Sequence, residues 1–251
     1  MLKTWRLQAQ FRRDRNGDRD DWKCSPVSPW IYHHLANPQN HMTHLVLFGD
    51  SIFDNAAYVD GGPAVIDQVR QHLRAGWTAT LLAVDGDTSA EVSAQIRRLP
   101  PDVTHLVLSV GGNDALATLA QMGTPAGTVV KALDTLMAIQ AGFQTSYQRL
   151  ISMLLALNKP LMVCTVYDQV PGLPTGLRTA LGLFNDVILR TAIQHRLPVL
   201  DLRMLCTEPG DYSVKSPIEP SSQGGAKIAE RMVAAVVGQG HSATKSCYVY
   251  W

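Results

Sequence analysis

From residue 43 onward, short apolar runs alternate with longer amphipathic ones. The apolar runs have strand length and lie at 45–48, 80–84, 105–110, 161–166 and 198–202. They are near-continuous rather than alternating, the pattern of parallel strands buried on both faces. Between them, helical spacing covers 64–73, 127–157, 177–195 and 223–237. A further helix is predicted to start at Thr88-Ser89-Ala90-Glu91, which has the spacing of a capping box. Five strands with intervening helices predict an open, doubly wound parallel sheet, a three-layer α/β/α sandwich.

The ends of the chain break this rhythm. Residues 1–41 carry charge clusters at Arg12-Arg13-Asp14-Arg15 and Asp18-Arg19-Asp20-Asp21 and no sustained period. They read as a flexible extension rather than a signal peptide, which would need a central apolar run. Met42 stands directly before the first strand as an alternative start. One domain is expected over 42–238, with 239–251 as a tail.

Composition agrees with a single soluble domain: 251 residues, 46% hydrophobic and 17% charged. A formal net charge of +1 argues against a nucleic-acid partner. No stretch has the length of a membrane span. Cys24, Cys164, Cys206 and Cys247 lack metal-ligand spacing, and Cys164 sits in an apolar run as a buried thiol. These features lead to the expectation of a cytoplasmic protein.

Candidate chemistry gathers where strands end. The first strand runs into Gly49-Asp50-Ser51, which leaves a serine at the carboxyl edge of the sheet. The second is followed by Gly86-Asp87-Thr88 and the third by Gly111-Gly112-Asn113-Asp114. Taken singly, each is an ordinary turn or helix cap. Together they bring a nucleophile and hydrogen-bond donors to one rim. The Ser51 and Gly86 N–H groups and the Asn113 amide are the parts of an oxyanion hole, each donor commonly worth about 3 kcal/mol in the transition state.

With these three motifs in order, the chain resembles the SGNH (GDSL) hydrolases, over about residues 43–237. The resemblance implies a flavodoxin-like topology and serine-based hydrolysis of a small-molecule ester, including acyl lipids, acetylated sugars and thioesters. It implies no metal and no cofactor. The first loop also lacks the Ser/Thr/Gly run that would cradle a flavin phosphate.

The family's last block, Asp-x-x-His, is altered. Here Ser216-Pro217-Ile218-Glu219 precedes Pro220-Ser221-Ser222-Gln223-Gly224-Gly225, so Glu219 stands at the histidine position and Ser216 at the aspartate position. Glu219 is a candidate base, weaker than histidine unless burial raises its pKa. An aspartate beside it would add like-charge repulsion, whereas Ser216 can donate a hydrogen bond. His195, His241 and Lys215 are other candidates. The same replacement fits a catalytically silent domain that binds an acyl or carbohydrate ligand.

Asp50, Asp87 and Asp168 are read as substrate contacts. Asp54 and Asn55 are read mainly as helix caps. Asn185 is read as a loop anchor, and Asp201 with Arg203 as a structural ion pair. The loops 167–176 and 204–219 are expected to shape the substrate pocket.

Overall fold

Strand β1 (His44–Gly49) divides its side chains by the pleat: Leu45 and Leu47 enter one apolar core, Val46 and Phe48 the other. Coverage on both faces is why the run is apolar throughout. The computed structural model describes residues 42–238 and 249–250, and the expected extension and most of the expected tail lie outside the described residues. The other strands are β2 (Thr78–Leu81), β3 (His105–Ser109), β4 (Leu161–Cys164), β5 (Val199–Leu200) and β6 (Val249–Tyr250). All pair in parallel, in the order β2-β1-β3-β4-β5-β6.

The five expected strands are present in the flavodoxin-like order. The sixth, β6, falls in the segment read as a tail; two residues are too few to carry a period. Strand β2 ends three residues earlier than its apolar run because the Leu82 and Ala83 N–H groups both reach the Leu47 carbonyl, each at 2.9 Å. That is a bulge. The chain nonetheless stays beside β1 as far as Val84, whose N–H bonds the Gly49 carbonyl at 3.1 Å.

Helices α1 (Val65–His72) and α8 (Ser222–Gly238) pack together over one face. The other face is covered by α2 (Val92–Ile96), α5 (Val129–Leu155) and α6 (Thr175–His195). Short helices α3 (Gly112–Leu116), α4 (Leu119–Met122) and α7 (Leu202–Leu205) complete the set. Helix α2 begins four residues after the expected start. Glu91 does accept from the Thr88 N–H at 2.7 Å, half of a capping box. Ser89, however, is drawn to Asp114, and 88–91 forms a tight turn instead.

The chain reverses its lateral direction between β1 and β3, and the crevice above such a switch point is where sheets of this kind bind ligands. Gly49 ends β1 there with φ +133°, and a Cβ on it would lie 1.7 Å from the Ser109 carbonyl oxygen.

Candidate active site

Ser51 follows β1 by two residues, Asn113 sits in the first turn of α3 after β3, and Glu219 sits in the loop before α8. All three line one cavity of about 130 Å³. Ser51 and Glu219 are each 5% exposed. The Ser51 hydroxyl stands against the Glu219 carboxyl group, and this interaction favours the carboxylate. Burial opposes this and is the larger effect; with a small contribution from the Asp85 charge it pushes Glu219 up to about 7. Its second oxygen, Oε2, is buried without a hydrogen-bond partner.

The loop carrying Glu219 is pinned from four sides. Asn55 Nδ2 donates to the Pro220 carbonyl at 3.0 Å, and the Tyr167 hydroxyl donates to the Ile218 carbonyl at 2.6 Å. The Ser213 N–H bonds the Glu219 carbonyl at 2.8 Å, and the Ser221 N–H bonds the Asp211 carbonyl at 2.9 Å. Asn55 also accepts from the Val65 N–H at 2.9 Å, so it caps α1 and holds the Glu219 loop at once. Ser216 contributes only its carbonyl, which accepts the Glu219 N–H at 3.0 Å; its hydroxyl makes no bond to the carboxylate.

The donor groups are prepared to different degrees. Neither the Ser51 nor the Gly86 N–H has an acceptor among the described residues. Gly86 occupies the third position of a turn closed by Asp87 N–H on the Val84 carbonyl, with φ +87°, a type II geometry that favours glycine. It is exposed and is not part of the cavity lining. The Asn113 amide gives one proton to the Asp87 carbonyl at 3.1 Å, which leaves the second proton for a ligand.

Of the three expected substrate contacts, only Asp50 lines the cavity. Asp87 instead holds loops together: its carbonyl receives Asn113 and its carboxylate receives Gln95 Nε2 at 2.8 Å. Asp168 is not part of the cavity lining and accepts from Gln169 at 3.2 Å. The strand ends were read correctly, but the direction of a side chain past a strand end is set by the loop that follows.

Gln95 was missed. It is fully buried and closes both backbone groups of Gly49, accepting from its N–H at 2.9 Å and donating to its carbonyl at 2.7 Å. A glutamine in a short amphipathic helix carries no sequence signal for such a clamp. Asn185 reproduces the same device for Val166, with both bonds at 2.8 Å, as its reading as a loop anchor requires. Asp201 pairs with Arg203 Nε at 2.7 Å and accepts from Thr165 at 2.8 Å, a structural pair.

The alternative bases stand elsewhere. Lys215 pairs with Asp60 at 3.6 Å on the surface, and His195 is exposed at the end of α6. His44 bonds Thr80 at 2.8 Å and His105 bonds Thr104 at 2.9 Å. His241 lies outside the described residues. No histidine among the described residues lines the cavity. Among them, no cluster of His, Cys, Asp or Glu is arranged to hold a metal ion.

Asp50 is 1% exposed, and burial, with a smaller contribution from Glu219, pushes its carboxyl up to about 8. The folded state therefore holds a proton that the unfolded chain releases near about pH 4. The associated stability is complete below about pH 4 and is lost progressively as pH rises towards the folded value of about 8. Asp50→Asn keeps an oxygen for the Ile52 N–H and removes that loss. In thermal melts the variant should exceed the wild type by a few degrees at about pH 9, and the gap should narrow towards about pH 4.

The sequence profile described as the GDSL-like lipase/acylhydrolase family matches residues 47–226. Among curated protein sequences, none matches the chain significantly. Solved structures share the fold. A lipase from a goat rumen metagenome superposes with a TM-score of 0.61 at 16% identity, covering 77% of this chain and 97% of its own. An extracellular lipase from Streptomyces rimosus gives 0.57 at 16% identity, covering 77% and 99%. A catalytic mutant of an acetylxylan esterase from Geobacillus stearothermophilus gives 0.57 at 15% identity, covering 79% and 94%.

Proposed function

The chain belongs to the GDSL-like lipase/acylhydrolase family, and from that premise we propose that it hydrolyses an ester through Ser51, with Glu219 as the general base. Ser51 Oγ attacks the ester carbonyl carbon as its proton passes to the Glu219 carboxylate. The carbonyl oxygen becomes an oxyanion, received by the Ser51 and Gly86 N–H groups and the free proton of the Asn113 amide. The oxyanion collapses, the bond to the leaving oxygen breaks, and the proton on Glu219 goes to the departing alcohol. Water then attacks the acyl-Ser51 carbonyl with Glu219 again taking a proton. The second collapse releases the acid and returns the proton to Ser51.

One observation carries this reading: Ser51 and the buried Glu219 carboxyl group share one cavity, where burial pushes that carboxyl up to about 7. A carboxylate near 4 is too weak a base for a serine, whereas a base poised at the working pH combines the right protonation state with driving force. The loss of the family aspartate agrees, because a second carboxylate would raise Glu219 further and keep it protonated.

The test is Glu219→Gln, which preserves shape and removes the base. Hydrolysis of p-nitrophenyl butyrate should fall about a thousandfold, within the range typical of a positioned general base. For the wild type, kcat/KM should fall as pH drops below about 7 and level off above it, since only the carboxylate accepts the proton. Unchanged kcat/KM in the variant would defeat the assignment of Glu219.

Among the described residues no histidine lines the cavity, which favours a second reading, a silent domain that binds an acyl or carbohydrate ligand. It requires that no ester tested be hydrolysed and that ligand binding survive Ser51→Ala. Two buried free thiols, Cys164 and Cys206, support the further proposal of a cytoplasmic setting.

A further inference from the structure

Beyond the reacting groups, the cavity is walled by hydrocarbon. Its lining includes Leu116, Leu119 and Met122 of α3 and α4, with Leu173, Leu177 and Leu181. Its charged and amide side chains, Asp50, Asn113 and Glu219, accompany Ser51. Tyr167 also lines it but spends its hydroxyl on the Ile218 carbonyl. Leu116, Leu119 and Ile218 are 40%, 42% and 41% exposed, so the apolar wall continues out to the surface.

This apolar lining sorts esters. A sugar placed along the leucines would give up its bonds to water and find no replacement, a cost for each hydroxyl group. A lone acetyl group would leave the apolar wall wet. We propose that the substrate carries a straight hydrocarbon chain, which runs from the carbonyl at Ser51 along the apolar lining formed by Leu116, Leu119, Met122, Leu173, Leu177 and Leu181. The proposal rests on Ser51 as the reacting group for its orientation. The chain is part of either the acid or the alcohol of the ester, and the two arms of the test separate these.

In one arm, kcat/KM is measured on p-nitrophenyl esters of lengthening straight acids; in the other, on acetates of lengthening primary alcohols. The series whose chain occupies the cavity should rise about fourfold per methylene until the space is filled. Leu181→Trp, and separately Leu119→Trp in case the first fails to fold, should move the peak of that series to shorter chains. Binding is read independently by titrating methyl octanoate into Ser51→Ala protein, with and without Leu181→Trp. Uptake that the tryptophan blocks supports the cavity assignment even if wild-type protein hydrolyses nothing, a result that would count only against the catalytic reading. Flat or falling series in both arms, with no methyl octanoate uptake, would overturn the hydrocarbon-chain assignment while leaving Ser51 catalysis standing on whatever ester is cleaved.

Discussion

Ser51→Ala should reduce ester hydrolysis and fluorophosphonate labelling to background while the fold survives. The substitution deletes one oxygen from a side chain that is already small and 5% exposed. Among the described residues its hydroxyl interacts with Glu219 and with no strand or helix side chain, so no such contact is lost. The nucleophile cannot be replaced by a neighbour: Asp50, Asn113 and Glu219 carry no hydroxyl or thiol, and the Tyr167 hydroxyl is spent on the Ile218 carbonyl at 2.6 Å. The expected loss in kcat is about four orders of magnitude or more, by analogy with serine hydrolases stripped of their nucleophile. Circular dichroism melts should stay within a few degrees of wild type. Labelling that persists in the variant would move the nucleophile elsewhere.

Gly49→Ala should destabilise the fold severely, by a large share of its stability. The new Cβ would sit 1.7 Å from the Ser109 carbonyl oxygen and 2.6 Å from its carbon, both backbone atoms. No rotamer change relieves that. The peptide cannot move aside either, because Gln95 holds both Gly49 backbone groups, and the Asp50 N–H is bonded to the same Ser109 oxygen at 3.1 Å. Backbone strain at φ +133° adds about 1–3 kcal/mol to an overpacking cost of similar size. Together these consume much of the roughly 5–15 kcal/mol that holds a domain folded. Gly86→Ala is the control: its Cβ meets nothing within 4 Å, so it carries only the strain of φ +87°. The melting temperature should fall far more for Gly49→Ala than for Gly86→Ala, and equal falls would contradict the contact argument.

Much of this site was legible because the chemistry follows strands. Once five buried runs were recognised, the residues after the first and third had to meet at one rim, and Ser51 and Asn113 do. Glu219 lines the same cavity, and its sequence signal was of a different kind: the residues after it resemble the family's last block. What stayed hidden depends on side-chain direction and on partners far apart in sequence. Asp87 and Asp168 sit at strand ends yet are not part of the cavity lining, and Gln95 meets Gly49 across 46 positions. The cavity walls were hidden by ambiguity. Leu116 and Leu119 have the apolar character of core residues, and only the packing leaves space beside them. Both loops expected to form the pocket take part, through Val170 and Leu173 and through Ile218 and Glu219, and the α3–α4 segment adds Leu116, Leu119 and Met122.

The central claim is that Glu219 activates Ser51, and the rate of fluorophosphonate labelling as a function of pH tests it most directly. It reads the nucleophile without requiring knowledge of the substrate. Wild-type protein should label slowly at about pH 5 and reach a plateau above the Glu219 value of about 7, while Glu219→Gln labels far more slowly and lacks that limb. Equal rates and equal pH profiles in the two proteins, or no labelling of folded wild type at any pH, would contradict the account.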